Sequence, residues 1–299
     1  MSSNDYPLTT FLADHSIRPI FRLPVFEDWL FWLADRTGIQ ALFKCAPAHY
    51  SYSPGTIRRC TRHGIHFELD ISTYHGWMIY YRRSGNRRVS DLVNRGDTVM
   101  DVGANIGEVT LLCAQKTGPD GLVIAFEPNP ATFAQLSKML ALNPGLNCVL
   151  VNQALGSMTG PVTMVQPDNR NPGTCTIASS TTPGKALSAN IPLTTLDQYI
   201  EEHPISRLNL IKLDVEGYEL NVLQGAEKTI SRYRPVLVIE LVDSHQKRHG
   251  HSAADIVKFV LQHDYRVTDF SGQTPFGIHD HFEDCSLDIT CVPNECVSR

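Results

Sequence analysis

TVMDVGANIG, residues 98–107, is the stretch that decides the fold. An apolar run that contains Asp101 leads into Gly103 and Gly107, and residues 108–116 (EVTLLCAQK) then have the composition of a helix. A strand, a glycine turn and a helix in this order are typical of a nucleotide-binding βα corner. Gly103 permits a tight turn, and Gly107 permits the helix N-terminus to approach a ligand, because neither residue has a Cβ atom.

The acid in this stretch indicates which nucleotide cofactor the corner binds. A carboxylate at Asp101 would repel a dinucleotide pyrophosphate, but it suits a ligand with a cationic sulfonium and an amino group. The G-x-G-x-x-G fingerprint is also not met, because Asn105 and Glu108 stand where a second glycine and a small residue are expected. The residues therefore predict S-adenosylmethionine rather than NAD.

Glu127 occupies the position expected of a ribose-binding acid. The apolar residues 122–126 (LVIAF) predict a second strand, and Glu127 follows it, twenty residues after Gly107. An acid at this spacing commonly accepts hydrogen bonds from both ribose hydroxyls of a bound nucleotide. The alternative is a solvated acid in a turn.

Six segments of the chain resemble the FkbM family of S-adenosylmethionine-dependent methyltransferases. They occur in order within residues 96–241 and read DVGANIGEVT, IAFEPNPATFAQL, ALGS, IPLTTLD, LIKLDVEGYELNVLQGA and RPVLVIEL. The resemblance implies an α/β class I methyltransferase fold, in which a Rossmann-like seven-stranded sheet has helices on both faces. It also implies a transferase (EC 2.1.1) that methylates a hydroxyl of a small molecule, such as a sugar, a lipid or a polyketide-like secondary metabolite. This fold class usually contacts the adenine just after the third strand, which is predicted at residues 148–151, so the resemblance implies that Asn152 is an adenine contact.

Acidic residues follow the fourth and fifth predicted strands. Residues 208–213 (LNLIKL) lead into Asp214 and Glu216, and residues 235–239 (PVLVI) lead into Glu240. Ligands of an open α/β sheet bind at the carboxyl ends of its strands, so we expect these carboxylates to face the cofactor. The resemblance places them near the transferred methyl group.

Methylation of an aliphatic hydroxyl requires a group that removes its proton. We predict that Glu216 or His245 is this base and that Glu240 and Asp214 orient the donor or the acceptor. A metal ion is the alternative, because Asp214, Glu216 and Glu240 are hard oxygen ligands that suit Mg²⁺. Acids at strand ends can also simply bind the donor, and we assign no metal ligands from the sequence. The predicted cofactor set is Asp101, Gly103, Asn105, Gly107, Glu127, Asn152 and Asp214.

Composition limits the classes of partner. The chain of 299 residues has 26 Lys and Arg against 31 Asp and Glu, a net charge of −5, which gives no electrostatic case for nucleic acid. A neutral substrate fits this charge better, and the expected partner is a small hydroxylated acceptor. The eight cysteines occur without C-x-x-C spacing and predict reduced thiols, and no segment predicts a signal peptide or a membrane span. We therefore expect a cytoplasmic protein.

The N-terminal part lies outside the resemblance. We predict a helical accessory segment at residues 1–60 and an S-adenosylmethionine-dependent methyltransferase domain at residues 61–299. Residues 25–43 have apolar side chains at helical spacing, with a break at Gly38. This helix is either a lid or a homodimer contact, or it packs on its own domain.

An aromatic cluster precedes the first core strand. Residues 64–81 (GIHFELDISTYHGWMIYY) begin as an alternating strand and then become rich in aromatic side chains. In the FkbM family the segment at this place tends to close over the cofactor and acceptor. The resemblance therefore predicts that the acceptor pocket includes Tyr74, His75 and Trp77, and plain packing is the alternative.

Two other functions compete with the methyltransferase interpretation. An NAD-dependent oxidoreductase is disfavoured because the chain has neither G-x-G-x-x-G nor a Tyr-x-x-x-Lys pair. A non-catalytic S-adenosylmethionine-binding protein would keep the donor pocket without turnover. The acids Asp101, Glu127, Asp214 and Glu216 argue against that alternative, and donor binding without product from any acceptor would support it.

Overall fold

The structure is a computed structural model that describes residues 23–39, 43, 46–166, 175–179 and 184–297. The chain divides into two compact units, Met1–Gly85 and Asn86–Arg299. The sequence predicted a domain boundary after residue 60, whereas the boundary between these units follows residue 85. No helix among the described residues is both long enough and apolar enough to cross a bilayer.

The described part of the first unit contains two α-helices, a short 3-10 helix (His49–Ser51) and a β-hairpin. The bounds of its α-helices and strands are α1 (Pro24–Thr37), β1 (Ile57–Arg62), β2 (Ile65–Asp70) and α2 (Tyr74–Tyr80). The predicted helix break is confirmed, since Gly38 ends α1 with a left-handed φ of 70°. Glu27 on α1 is only 1% exposed. It accepts hydrogen bonds from Arg58 Nε on β1 (2.8 Å) and from the Tyr80 hydroxyl on α2 (3.1 Å). This buried carboxylate ties all three elements into one unit, which explains why residues 61–85 group with the N-terminal segment.

The second unit alternates strands and helices, as the sequence predicted. Its first part contains α3 (Arg87–Ser90), β3 (Thr98–Val102), α4 (Glu108–Thr117), β4 (Leu122–Phe126), α5 (Pro130–Ala141), β5 (Cys148–Val151), β6 (Ala154–Leu155), β7 (Gly160–Gln166), β8 (Thr176–Ile177) and β9 (Lys185–Thr194). The rest contains α6 (Leu196–Glu202), β10 (Leu210–Leu213), α7 (Glu219–Gln224), α8 (Glu227–Tyr233), β11 (Val236–Val242), α9 (Asp243–Lys247), α10 (Ala253–Gln262), β12 (Tyr265–Asp269), β13 (Pro275–Phe276), β14 (Ser286–Pro293) and α11 (Asn294–Val297).

The main sheet has the strand order β13-β12-β14-β11-β10-β3-β4-β5. The predicted seven-stranded Rossmann-like sheet is confirmed, and the two-residue β13 adds an eighth strand at one edge. Strands β5, β4, β3, β10 and β11 are parallel neighbours, and β14 is antiparallel to both β11 and β12. A separate four-stranded sheet, β6-β9-β7-β8, is inserted after β5.

Side chains of the central strand point alternately to the two faces of the sheet, where separate helices cover them. Met100 and Val102 pack with apolar residues of α6, α7, α8 and α10. Val99 packs on the opposite face with apolar residues of α3 and α4. In the parallel registers, Val102 lies beside Phe126 on β4 and Leu213 on β10. The carboxyl ends of these strands therefore meet at one edge, where an α/β sheet binds its ligands.

Candidate active site

The two glycines of the turn after β3 are required by packing inside the protein. Gly103 has a φ of 84°, and a Cβ atom there would overlap the backbone carbonyl of Asp214. Gly107 has a φ of 94°, and a Cβ atom there would overlap the side chain of Leu136 on α5. The sequence attributed the need for Gly107 to a ligand, whereas the close neighbour is a leucine. Both glycines also adopt the left-handed conformation that other residues avoid.

Glu127 lies at the end of β4, beside this turn. Its two carboxylate oxygens accept hydrogen bonds from the backbone N–H groups of Asn105 and Asn129, both at 2.9 Å. The residue is only 7% exposed. Burial raises the pKa of Glu127 to about 7, although these two N–H groups favour the carboxylate. Glu127 is thus a fixed acceptor whose protonation state changes near neutral pH.

Asn105 and Asn152 both hold the loop around Glu127. Asn105 has a left-handed φ of 50°, which turns its N–H toward Glu127. Asn152 donates from Nδ2 to the carbonyls of Glu127 (2.8 Å) and Pro128 (3.1 Å). The side-chain amide of Asn152 therefore stabilises the loop that carries the acid, and its contact with adenine stays a prediction.

A buried lysine, Lys212 on β10, connects three groups of the site and was not predicted. Its Nζ lies 3.5 Å from Asp101 Oδ1 and 3.2 Å from Asp214 Oδ2, and it donates a 3.1 Å hydrogen bond to the carbonyl of Gly103. Burial lowers the pKa of Lys212, but Asp214 and Asp101 outweigh this effect and hold it above its ordinary value. The lysine is therefore charged.

The negative charge of Asp101 is compensated inside the protein by Lys212, whereas Asp214 is partly exposed to solvent. Asp101 is 0% exposed, and its Oδ2 accepts a 2.6 Å hydrogen bond from Thr110. The side chain of Asp214 is 39% exposed. Asp214 is thus the acid of this pair that is open to a ligand, and direct contact between Asp101 and the cofactor stays a prediction.

Three of the four predicted catalytic residues converge beside this pair. Glu216 Oε2 lies 3.3 Å from His245 Nδ1, and Glu240 Oε2 lies 3.9 Å from the same nitrogen. Asp214 and Glu216 would point the same way only if β10 continued as far as Glu216. The strand instead ends at Leu213, and Glu216 reaches the cluster through a left-handed turn with a φ of 57°.

The cluster perturbs the protonation of its own members. Burial raises the pKa of Glu216 to about 8, and the charge of Asp214 adds to this shift. Burial and the charge of Asp214 likewise raise the pKa of Glu240. Burial, together with the positive charge of Arg248, lowers the pKa of His245 to about 4. At neutral pH the imidazole is therefore neutral, with a lone pair on one ring nitrogen.

Glu219 lies beneath the cluster, and the sequence analysis missed it. Its carboxylate is 1% exposed and accepts hydrogen bonds from the backbone N–H groups of Val215 (2.9 Å) and Gly217 (3.2 Å). Its second oxygen accepts a hydrogen bond from the side-chain amide of Gln246, the residue after His245. Glu219 therefore fixes the turn of Glu216 to helix α9 of His245.

The predicted acceptor-binding residues lie in the first unit, on α2. Trp77 is 6% exposed, and its indole N–H donates a 2.7 Å hydrogen bond to the carbonyl of Pro47. Tyr74 is 39% exposed, and His75 is partly buried. Trp77 has a packing role in its own unit, and the binding of an acceptor by the three residues stays a prediction.

Comparison with known proteins reveals named relatives. The chain is 31% identical over 144 residues to the hexuronic acid methyltransferase AglP of Haloferax volcanii, covering 48% of this chain and 55% of that protein. It is 30% identical over 163 residues to methyltransferase 1 of Beauveria bassiana, covering 49% of this chain and 65% of that protein. These matches span between half and two thirds of the relatives' lengths. Among solved structures, it is similar to a methyltransferase FkbM from Methylobacillus flagellatus KT, with 17% identity, a TM-score of 0.42, and coverage of 73% of this chain and 54% of that one.

The family assignment rests on the sequence match. Residues 101–267, more than half of the chain, match the methyltransferase FkbM domain. The matched region begins at Asp101 and includes Glu127, Glu216, Glu240 and His245, so it covers the site described above. The chain therefore belongs to the FkbM methyltransferase domain family.

Proposed function

We propose that the chain transfers a methyl group from S-adenosylmethionine to a hydroxyl oxygen of a small molecule, with assistance from a base or a metal ion. The observation that carries this proposal is the convergence of Glu216, Glu240 and His245 at the same sheet edge as Glu127. Glu127 is suited to binding a nucleoside, and the cluster of Glu216, Glu240 and His245 is suited to removing a proton. Transfer of a group from a nucleoside cofactor to a hydroxyl requires a site for the nucleoside and a group that removes the hydroxyl proton.

The donor groups at this edge fit S-adenosylmethionine. The buried carboxylate of Glu127, fixed by two backbone N–H groups, retains lone pairs that suit the ribose hydroxyls. Asp214 presents a partly exposed carboxylate that suits the ammonium group of the methionine moiety. When bound, the cofactor would supply an electrophilic methyl group. The carboxylates of Asp101 and Asp214 at this edge would repel a pyrophosphate, which disfavours NAD.

We expect S-adenosylhomocysteine to bind about tenfold more weakly at pH 6 than at pH 8. The carboxylate of Glu127 is the form that accepts the ribose hydroxyls, and its pKa in the free protein is raised to about 7. As the pH falls through this value, binding must displace a proton, so affinity is lost on the acid side. Titration calorimetry at several pH values measures this dependence.

Two variants control this measurement. Glu127→Gln should bind weakly at pH 8 and show a flat pH profile between 6 and 8, because the titrating group is gone. Glu202→Gln removes an exposed acid of α6 and should keep the wild-type profile. A wild-type pH dependence in Glu127→Gln would contradict the ribose-binding role.

The remaining residues would orient the acceptor and take up its proton. Methylation forms an oxygen–carbon bond, breaks the sulfur–carbon bond of the donor and releases the hydroxyl proton. His245 is neutral at pH 7 and has a lone pair available, so it can accept this proton, and Glu216 lies next to it. Glu240 and Asp214 would orient the acceptor and the donor. Alignment of the two reactants supplies much of the rate in such a displacement.

The acceptor class is supported by the relatives and by charge. One relative is named a hexuronic acid methyltransferase, so sugar acids are the first acceptors to screen. The net charge of −5 offers no general attraction to nucleic acid. Tyr74, His75 and Trp77 of the first unit are our proposed acceptor contacts, and a homodimer through the N-terminal segment is proposed as well.

Methyl transfer is tested with labelled S-adenosylmethionine and a panel of hydroxylated sugars, sugar acids and polyketides. With the acceptor found, Glu216→Gln and His245→Ala at saturating donor should each lower kcat by about 10²- to 10⁴-fold, the usual value of a positioned proton-transfer group. The control Glu202→Gln should keep the wild-type kcat. If both site variants keep it too, the assignment of proton transfer to this cluster is wrong.

Two other outcomes would replace the proposal. Binding of NAD but not of S-adenosylhomocysteine would indicate the oxidoreductase. Binding of S-adenosylhomocysteine without methylation of any acceptor in the panel would support a non-catalytic binding protein.

A further inference from the structure

Glu216, Glu240 and His245 offer ligand atoms of the kinds that bind divalent cations. One such atom from each residue lies within 4.8 Å of the other two. The shortest separation, 3.3 Å between Glu216 Oε2 and His245 Nδ1, resembles the roughly 3.0–3.4 Å between neighbouring ligands of a cation with bonds of about 2.1 Å. Glu240 Oε2, at 3.9 Å from the same nitrogen, needs only a small side-chain movement to join them.

Two of these atoms lack hydrogen bonds. Glu216 Oε2 and His245 Nδ1 are shielded from solvent, and neither has a hydrogen-bond partner within the described part of the chain. They face each other at 3.3 Å without meeting the geometry of a hydrogen bond. Buried polar atoms in proteins are nearly always paired, so each such atom requires an explanation. A cation between them would accept a lone pair from both.

The backbone holds the ligands in place before anything binds. Gly217 lies so close to the backbone carbonyl of His245 that a Cβ atom would overlap it. Glu219 bonds both to the turn of Glu216 and to Gln246 on α9. Glu216 itself adopts a left-handed φ of 57°, a conformation that costs free energy and occurs often at functional sites. Such support from surrounding residues is typical of metal sites.

We propose that Glu216, Glu240 and His245 bind a divalent transition-metal cation, Mn²⁺ or Zn²⁺, that coordinates the acceptor hydroxyl. The role of the cation rests on the proposed function, and the binding site itself does not. Coordination lowers the pKa of the hydroxyl, so its proton passes to water as the oxygen–carbon bond forms and the donor's sulfur–carbon bond breaks. The three side chains then act as ligands in place of a free base.

The ligand set distinguishes this site from the Mg²⁺ alternative weighed on sequence grounds. That alternative used only the carboxylates of Asp214, Glu216 and Glu240. Asp214 is instead paired with Lys212 at 3.2 Å, and His245 takes the third position. Imidazole suits Zn²⁺ and other transition metals, whereas Mg²⁺ prefers oxygen and retains several waters.

Calorimetric titration of the whole EDTA-treated chain with MnCl₂, and separately with ZnCl₂, tests the site. We expect one cation per chain. His245→Ala and Glu240→Gln should each weaken binding by at least about 100-fold, since changes in residues around the ligands alone cost about 10- to 100-fold. With Mn²⁺, electron spin-echo spectra should show coupling to an imidazole nitrogen, and His245→Ala should abolish it. The control His263→Ala removes a histidine whose imidazole ring hydrogen-bonds the backbone carbonyl of Phe259 on α10, and it should change neither result.

The outcomes separate this inference from the proposed function. The metal site is wrong if no cation binds at millimolar concentration. It is also wrong if His245→Ala and Glu240→Gln, shown by circular dichroism to be folded, bind the cation as tightly as the wild type. S-adenosylhomocysteine is titrated into the metal-free protein in parallel. If S-adenosylhomocysteine binds but no cation does, the methyltransferase proposal stands and the metal site is wrong. If a cation binds but S-adenosylhomocysteine does not, the metal site stands and the methyltransferase proposal is wrong.

Discussion

Gly103→Ala is expected to lose about 2–5 kcal/mol of unfolding free energy. A left-handed φ of 84° costs an alanine about 1–2 kcal/mol. The added Cβ would also overlap the backbone carbonyl of Asp214, which cannot rotate away as a side chain can. Overpacking of this kind typically costs a further 1–3 kcal/mol. Because whole domains are stable by only about 5–15 kcal/mol, we expect a marginally folded protein in urea titration followed by circular dichroism.

The chain provides a matched control for the conformational part of this loss. Gly145 has a similar φ of 93°, but a Cβ atom there would have no neighbour within 4 Å. Gly145→Ala should therefore cost only about 1–2 kcal/mol. The difference between the two variants measures the overlap with β10. Equal losses would show that the close approach of the two strand ends is not what requires Gly103.

Lys212→Met is expected to destabilise the fold by about 3–5 kcal/mol. Lys212 Nζ lies 3.5 Å from Oδ1 of Asp101, which is fully buried. Methionine fills a similar volume, so most of the loss comes from leaving a buried carboxylate without its counter-charge. The carbonyl of Gly103 also loses its hydrogen bond from Nζ. Urea unfolding at pH 7 measures the change.

A double-mutant cycle separates charge from packing at this pair. Asp101→Asn with Lys212→Met removes both charges, while Asn can still accept the hydrogen bond from Thr110. We expect this double variant to be more stable than the sum of the single losses by 1 kcal/mol or more. Lys258→Met, on the exposed side of α10, should stay within about 0.5 kcal/mol of wild type. Strict additivity at Asp101 and Lys212 would disprove the electrostatic explanation.

The sheet could be predicted because its strands are short apolar runs. Residues 122–126 and 148–151 were predicted at the bounds the structure gives, since apolar runs of this length flanked by breakers leave little choice. The long strand β9 was missed. Its apolar residues alternate from Leu187 to Leu193, but Pro192 within this run argues against a strand, and most of its residues are exposed.

The site was most directly predictable where a side chain follows a strand. Glu127 does so, and its position beside Asn105 follows from the parallel register of β3 and β4. Glu216 was predicted from its position just after β10, but it is a left-handed turn that brings it to His245. Such a turn in a non-glycine residue leaves no mark in the sequence.

Lys212 and Glu219 show what a sequence signal could still have revealed. A lysine inside the apolar run LNLIKL needs a buried counter-charge, and Asp101 lies beside it in the register of the two strands. That pairing was available once the strand order was assumed. Glu219 carried no comparable signal, because an acid in the first turn of a helix is ordinary at the surface.

The position of β14 between β11 and β12 in the sheet affects folding during translation. Strand β11, which carries Glu240, pairs with β10 on one side and with β14 on the other. A ribosome synthesises residues 236–242 well before residues 286–293, a delay on the order of several seconds. Throughout this time the nascent chain exposes a long apolar strand edge, which is a site for mispairing between neighbouring chains. Yield from recombinant expression should therefore depend on chaperone supply and on the speed of translation between these two strands.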